Sequence, residues 1–320
     1  MRFGTFVPQG WKMDLAGVPV GDQWDRIATT AATIEEAGYH SLWVYDHFHT
    51  HPVPSQESTF DAWTLMAGLA AVTSRVRLGQ MCTCVLYRRP SLLAKMAASV
   101  DAMSGGRLDV GIGAGWSVGE FRGYGYDYPS DGDRLDMLEE TAQILIEMWT
   151  KDVASFTGKH YRLDGAITRP RPIQQPYPPL WIAGGGEKRT LRIVAEYGDF
   201  ANFSGDIENF RHKSSVLAGH CETVGRPFEE IGRSVHRMAV IGRDRHDLRS
   251  KLEVAAMRRA GTPEEFADEH LAGTVDQIVD VMGAYAEAGC SDMILYFYDM
   301  GEFDSLELFA TDVMPQLVRA

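Results

Sequence analysis

The sequence predicts a (β/α)8 barrel. Three observations carry that expectation. Eight short runs of β-forming residues alternate with helical patterns along the chain, which is the order that builds a parallel sheet. The stretch Val76–Trp116 is one complete βαβ unit, with the crossover length a parallel pair needs. No break in composition marks a second domain, so residues 1–320 are expected to form one domain. A doubly wound open sheet is the second architecture compatible with the alternation, but no G-x-G-x-x-G follows the first strand.

The elements follow in order. Arg2–Val7 reads as strand one. Asp22 can cap a helix whose apolar positions Trp24, Ile27, Ala28, Ala31 and Ile34 recur at helical spacing, and Gly38 ends it. Ser41–Tyr45 is strand two, and Phe60–Val72 the next helix. Val76–Met81 is strand three. The helix after it carries Leu92, Leu93, Met96, Ala97 and Val100 on one face and stops at Gly105 and Gly106, before strand four at Leu108–Ile112. A Gly- and Tyr-rich loop then suits a lid or pocket wall. Leu135–Trp149 is an amphipathic helix. Residues of about 150–179 break the rhythm, with a hairpin expected around Gly158 and then a Pro-rich stretch, and read as an insertion packed on the barrel. Leu180–Ala183 is strand five, with a helix expected over Glu187–Tyr197. Phe200–Phe203 is strand six, with a helix to about Val224, and Val235–Ile241 is strand seven. Helical segments fill 245–288, with a new start near Thr274. Asp292–Phe297 is strand eight, and Ser305–Val318 the closing helix.

The 320 residues suffice for a sizeable core, and 45% apolar and 23% charged residues suit a water-soluble globular chain. A net charge of −13 repels nucleic acid and anionic membrane, which argues against either as a partner. The four cysteines form no CxxC pair and suit a reducing cytoplasm. The first residues read as a strand and not as a signal peptide, and no apolar run has the length of a membrane span.

In a (β/α)8 barrel the residues just after each strand share one mouth. Asp46 and His47 sit there as an acid/base pair: imidazole can give or take a proton, and an adjacent carboxylate can hold its orientation. The strands of the βαβ unit end in small residues, Cys82-Thr83-Cys84 and Gly113-Ala114-Gly115, which would let a flat ring approach the backbone; ordinary tight turns would look the same. Gly184-Gly185-Gly186 before a helix can cradle a phosphate on backbone N–H groups, with Lys188 and Arg189 adding charge, or can be a plain turn at a strand-to-helix corner. His47, His49 and His51 raise a metal site of the barrel-hydrolase kind, but no other histidine follows a strand end, and no metal is expected.

Together the segments RFGTF, EEAGYHSLWVYDH, TCVLYRRPSLLAKMAASVDAMSGGRLDVGIGAGW, PLWIAGGGEKRTLRIVAEYGD and GCSDMILYF resemble the luciferase-like flavin and deazaflavin oxidoreductases, and within them the coenzyme F420-dependent branch. The resemblance covers nearly the whole chain. It implies a luciferase-like (β/α)8 (TIM) barrel with an insertion after its fourth helix, often homodimeric, with a deazaflavin or FMN across the mouth. It implies hydride transfer between C5 of F420 and an unidentified small organic molecule, or an FMN-dependent monooxygenase using O2 as the alternative. It places Asp46 and His47 near the ring, with His47 handling the proton. It places Met81 and Cys82, joined by a cis peptide or a bulge, behind the ring and followed by Thr83. Gly113, Gly115 and Trp116 fall at the strand-four end, and Gly184–Gly186 with Lys188 at the phosphate. The sugar-phosphate dehydrogenases of this family carry a catalytic Glu where this chain has Trp116, which points to an apolar or aromatic substrate; Glu120 lies close enough in sequence to supply a carboxylate.

Overall fold

The computed structural model describes residues 1–259, 261–299 and 304–317. Eight parallel strands close on one another: β1 (Arg2–Phe6), β2 (Ser41–Val44), β3 (Arg77–Gln80), β4 (Leu108–Gly113), β5 (Leu180–Ala183), β6 (Phe200–Phe203), β7 (Gly232–Gly242) and β8 (Asp292–Phe297). Each pairs with its neighbours in chain order, and β8 returns to β1 with Arg2 opposite Asp292. The expected (β/α)8 barrel is therefore the fold. Both faces of these strands are covered, so β4 and β8 are buried at every position, which is why they read as apolar runs and not as alternating patterns.

Alternation along β2 sorts the core into two layers. Leu42 and Val44 belong to the shell between strands and helices, with Ile34, Leu69, Leu93 and Leu145. Trp43 points the other way, into the barrel, with Phe6, Trp181, Ile294 and Tyr296. The indole of Trp43 spreads over both neighbouring strands. A Cβ on Gly4 of β1 would lie 2.6 Å from its Nε1, and one on Gly79 of β3 would lie 2.3 Å from its ring. Its N–H donates to Ser41 Oγ at 2.8 Å, and Trp181 meets it edge-on with centroids 4.9 Å apart.

The Met81–Cys82 peptide is cis, as the family resemblance led us to expect. Beyond it Thr83–Cys84 pairs once more with β4, opposite Ile112 and Gly113. Thr83 is fully buried, and its hydroxyl donates to the side chain of Gln80. The hairpin expected around Gly158 is formed by Ala154–Thr157 and Arg162–Ala166. Its turn is fastened by the half-buried helix Asp131–Thr150, where Glu140 accepts from the backbone N–H groups of Lys159 and Tyr161 at 2.7 and 2.9 Å.

Several boundaries differ from the sequence reading. The first helix starts at Val20 behind Pro19, so Asp22 sits in its first turn and caps nothing. Asp61 caps the second helix, Ala62–Val72, by accepting from Thr64 N. The helix after β5 begins at Thr190, three residues later than expected, because Glu187–Arg189 form a turn. The loop after β4 contains a short helix, Val118–Gly123. β7 runs to Gly242, and its far end pairs with Leu271–Thr274, a strand that lies inside the span read as helical. Leu-Ala-Gly-Thr has little strand character of its own; the open edge of β7 supplies the ladder. The closing helix runs from Asp304 through a π turn to Leu317, and residue 318 lies outside the described residues. Among the described residues no helix is long and apolar enough to cross a membrane.

The contact between Trp43 and Gly79 makes a first prediction. Gly79→Ala should destabilise the barrel by about 1–3 kcal/mol, the cost of overpacking a filled core. Gly119→Ala, where an added methyl meets nothing within 4 Å, should leave the urea midpoint almost unchanged. Equal midpoints for the two variants would show that the indole does not fill the gap.

Candidate active site at the barrel mouth

A cavity of about 410 Å³ opens at the C-terminal ends of the strands. Its floor comes from β3 and β4. A Cβ on Gly113 would lie 2.5 Å from Cys82 Sγ, and one on Gly115 would lie 2.6 Å from Cys84 Sγ. The two thiols therefore seat in the gaps the glycines leave, and the floor stays level. Burial first, then the charge of Asp46, pushes the Cys82 thiol up to about 12. Burial likewise raises Cys84, so both thiols stay protonated and act as apolar lining.

Asp46 lies at the end of β2 and is only 3% exposed. Its Oδ2 accepts from Cys84 N at 2.9 Å and Arg88 Nη1 at 2.7 Å. Arg88 reaches on to Asp61 at 2.9 Å. Burial raises the Asp46 carboxyl above its ordinary range, while Arg88 and the Cys84 N–H pull it down. Among the described residues its buried Oδ1 has no hydrogen-bond partner, and Asp46 is one of the residues lining the cavity.

Asp46 and His47 both line the cavity but have different partners. The carboxylate that orients His47 is Glu120, not Asp46. Glu120 Oε2 lies 2.6 Å from His47 Nδ1, and Oε1 accepts from Phe48 N at 2.7 Å. Tyr87 donates its hydroxyl to Oε2 at 3.2 Å. Glu120 is fully buried, on the short helix Val118–Gly123. Burial pushes its carboxyl up, but the hydrogen bond and charge of His47 and the Phe48 N–H outweigh it and hold the group at about 2, below its ordinary 4.5. The stabilisation from this pairing is complete above the ordinary value and is lost as pH falls toward about 2. An ionised carboxylate can only accept, so Nδ1 carries the proton and Nε2 is left for the cavity. Trp11 stacks on the imidazole at 4.0 Å and 2°, and Trp116 meets it edge-on at 5.6 Å.

His49 and His51 do not join His47. His49 Nδ1 lies 3.1 Å from the carbonyl of Thr50, and His51 packs against Trp11 and Trp116. Among the described residues the one His and carboxylate group with metal-like spacing is Asp133, Asp136 and His160, away from the mouth. There Lys159 Nζ lies 2.7 and 2.8 Å from the two aspartates.

The structure brings Asp46, His47, Met81, Cys82, Gly113, Gly115, Trp116 and Gly184 to the cavity lining. Thr83, Gly185 and Gly186 are not among the lining residues, and Glu120 contacts His47. Lys188 is exposed and is not among the residues lining the cavity. Trp11, Tyr45, Thr190 and His236 also line the site and were not singled out in the sequence. Trp11 and Tyr45 follow the ends of β1 and β2, so the strand-end rule could have found them. His236 could not be found that way, because it lies mid-strand in β7. Burial first, then the charges of Lys12 and Arg237, lowers its imidazole to about 3. It is neutral, with Nε2 3.0 Å from Tyr45 OH.

Comparison with known proteins agrees with this architecture. The family model described as luciferase-like monooxygenase matches residues 1–292. The chain is 28% identical to an F420-dependent glucose-6-phosphate dehydrogenase of Amycolatopsis mediterranei, over 90% of this chain and 92% of that one. It is also 28% identical to the pyrimidine monooxygenase RutA of Allorhizobium ampelinum, over 64% of this chain and 56% of that one. Among solved structures, an F420-dependent secondary alcohol dehydrogenase in complex with an F420-acetone adduct superposes with a TM-score of 0.79 at 21% identity, covering 98% of both chains. The monooxygenase RslO1 of Streptomyces bottropensis superposes at 0.83 and 21% identity, covering 99% of this chain and 100% of that one. With a family match across residues 1–292 and a closed eight-stranded parallel barrel beneath it, the chain belongs to the luciferase-like monooxygenase family.

Proposed function

We propose that the chain is a coenzyme F420-dependent oxidoreductase that transfers a hydride between the deazaflavin and a small organic alcohol or carbonyl compound. The observation that carries the reading is the His47–Glu120 pair at the mouth, 2.6 Å apart, above a level floor. The cavity fits the cofactor's ring. Gly113 and Gly115 leave the floor clear, the thiols stay neutral, and the unpartnered Oδ1 of Asp46 offers a buried acceptor to a ring N–H or O–H. Bound F420 would supply the hydride-carrying carbon; the protein's share is binding, orientation and the proton.

The chain's own residues divide that work. His47 exchanges the substrate hydroxyl proton at Nε2. Glu120 fixes its tautomer through Nδ1 and stabilises the imidazolium that forms. Trp11 and Trp116 hold the ring from its face and its edge. Trp116 is 57% exposed, so its remaining surface faces whatever enters. Among the described residues no lysine or arginine lines the cavity to neutralise a substrate phosphate, and an apolar or aromatic substrate is the better match. In this reading the barrel is one domain and works as a homodimer in a reducing cytoplasm, where its four free cysteines persist.

The second reading is an FMN-dependent monooxygenase, favoured by the similarity to RutA and to RslO1. Titrating the apoprotein with F420 and with FMN, followed by fluorescence, separates the two. We expect F420 to bind more tightly. Tighter FMN binding, or protein that purifies yellow with FMN, would transfer the assignment to the monooxygenase.

Two variants test the dyad. His47→Ala should still fold cooperatively, melting lower because buried Glu120 loses its partner, and should lose about a hundredfold to ten-thousandfold in turnover, the usual contribution of a general acid–base group. Glu120→Gln should lose less in turnover, about tenfold to a hundredfold, and should change the pH profile, since the amide cannot stabilise an imidazolium. Full turnover in His47→Ala would remove the imidazole from the mechanism.

A further inference from the structure

The two edges of β7 are used differently. On one edge the strand pairs with β8 without interruption from Ser234 to Ala239. On the other it pairs with β6 as far as Val235, opposite Phe203, and with the added strand Leu271–Thr274 from Ala239 onward. His236, Arg237 and Met238 therefore have no strand opposite them on that edge. Gly232 N donates to Asp199 O on the β6 side. Alternate residues of a strand aim their peptide groups at the same edge, so those of Met238 face the gap.

A second cavity, of about 390 Å³, lies against this gap. Residues 204–206, after β6, bound it on one side, and residues 268–270, before the added strand, on the other. His236 lines both this cavity and the main one, so the two adjoin there. Among the described residues Arg237 is the one lysine or arginine in the lining. Its Nη1 donates to the carbonyl of Gly205 at 3.0 Å and to the hydroxyl of Tyr285 at 3.2 Å. Both partners are neutral, in a chain whose net charge is −13. The carboxylates of the same lining are placed otherwise. Asp206 caps the helix Ile207–Val224, accepting from Asn209 N at 2.9 Å. Asp268 and Glu269 are exposed, where water and salt screen them.

We infer that the second cavity holds the far end of the substrate, and that this end is a carboxylate bound by Arg237. The inference rests on the oxidoreductase reading above and narrows its substrate class. The apolar or aromatic body of the alcohol or carbonyl compound lies in the main cavity and reacts at His47; the carboxylate lies beyond His236. Only Nη1 of Arg237 is engaged, so the guanidinium keeps donors in a planar fork for two carboxylate oxygens. The peptide N–H of Met238 adds a neutral donor. One guanidinium suits a monoanion; a phosphate dianion would meet the carboxylates of this lining with a single cation to offset them.

The first test needs no turnover. β-Benzoylpropionate, γ-benzoylbutyrate and δ-benzoylvalerate, each with its primary amide and the matching amine, are titrated into the protein by calorimetry at several salt concentrations. In wild type the best-fitting acid should bind at least about tenfold more tightly than its amide, and the preference should shrink as salt rises. Arg237→Met should abolish the preference while the amide's affinity stays within about twofold, which also shows that the variant is folded. Arg237→Gln, which can keep a hydrogen bond to Gly205 without the charge, should lose the preference too, and Arg237→Lys should retain part of it. Turnover of the preferred acid is then read separately with F420 and with FMN. A preference that depends on Arg237 but comes with no turnover removes the hydride-transfer reading and leaves the seat standing. No preference for the acid at any chain length, tighter binding of the amine, a preference unchanged in Arg237→Met and Arg237→Gln, or an equal loss of acid and amide would overturn the seat.

Discussion

Two carboxylates are buried one residue and one loop apart at the mouth of this barrel, and much of the site follows from having to satisfy them. A buried carboxylate is costly unless it is hydrogen-bonded and faces a cation. Asp46 meets the requirement with Arg88 and the backbone N–H of Cys84. That second bond ties the end of β2 to the residues just after the cis peptide, so the floor under the cavity is positioned by the same charge. Glu120 meets it with His47, the Phe48 N–H and the Tyr87 hydroxyl. It thereby binds the loop after β4 to the ends of β2 and β3. Satisfying the two groups joins three strand ends into one rigid rim, the kind of support that holds a reacting side chain in one orientation.

Beneath that rim, the packing of Trp43 explains why the mouth can be level. One large indole occupies the space above Gly4 and Gly79, and the edge-on Trp181 closes the layer. Phe200 stacks on Trp181 at 4.0 Å. With the barrel centre filled from β2, β5 and β6, the strands β3 and β4 need no bulky inward residue near their ends. They carry glycine and cysteine there, and those small residues form the cavity floor. The small-residue strand ends and the tryptophan one layer below are thus two parts of one packing solution.

The barrel was legible because alternating β and helical patterns leave few topologies, and the strand-end rule then located Asp46, His47, Gly113 and Gly184. What the sequence hid were pairings between distant elements. Glu120 was noticed only as a nearby carboxylate; that it grips His47 requires knowing that a six-residue helix turns it back toward β2. Lys188 is the cation next to the glycine turn in sequence, while Lys213 packs against Gly185 from the helix after the next strand, a contact no local pattern signals. Asp46 looked like the partner of His47 because it is adjacent in sequence, although its carboxylate is taken by Arg88 and the Cys84 N–H while Glu120 meets the imidazole. The Leu271–Thr274 strand was missed because it is stabilised by the free edge of β7 and not by its own residues. Local pattern located the strand ends; contacts across tens of residues decided which side chains work together.

The two histidines at the mouth show how the fold assigns different work to one residue type. His236 sits among Lys12, Arg237 and apolar rings, and is driven to about 3. Neutral, it is hydrogen-bonded to Tyr45, whose own hydroxyl is pushed well above its ordinary value by burial. That pair cannot release or take up a proton near neutral pH, and serves as a hydrogen-bonded wall. His47 instead faces an ionised carboxylate held at about 2, so a positive charge arising on its ring is met by a fixed negative one. The two imidazoles thus meet different partners, a hydroxyl for His236 and a carboxylate for His47. In the proposed reaction it is His47 that would carry the proton, oriented by Glu120, the residue whose place no local pattern specified.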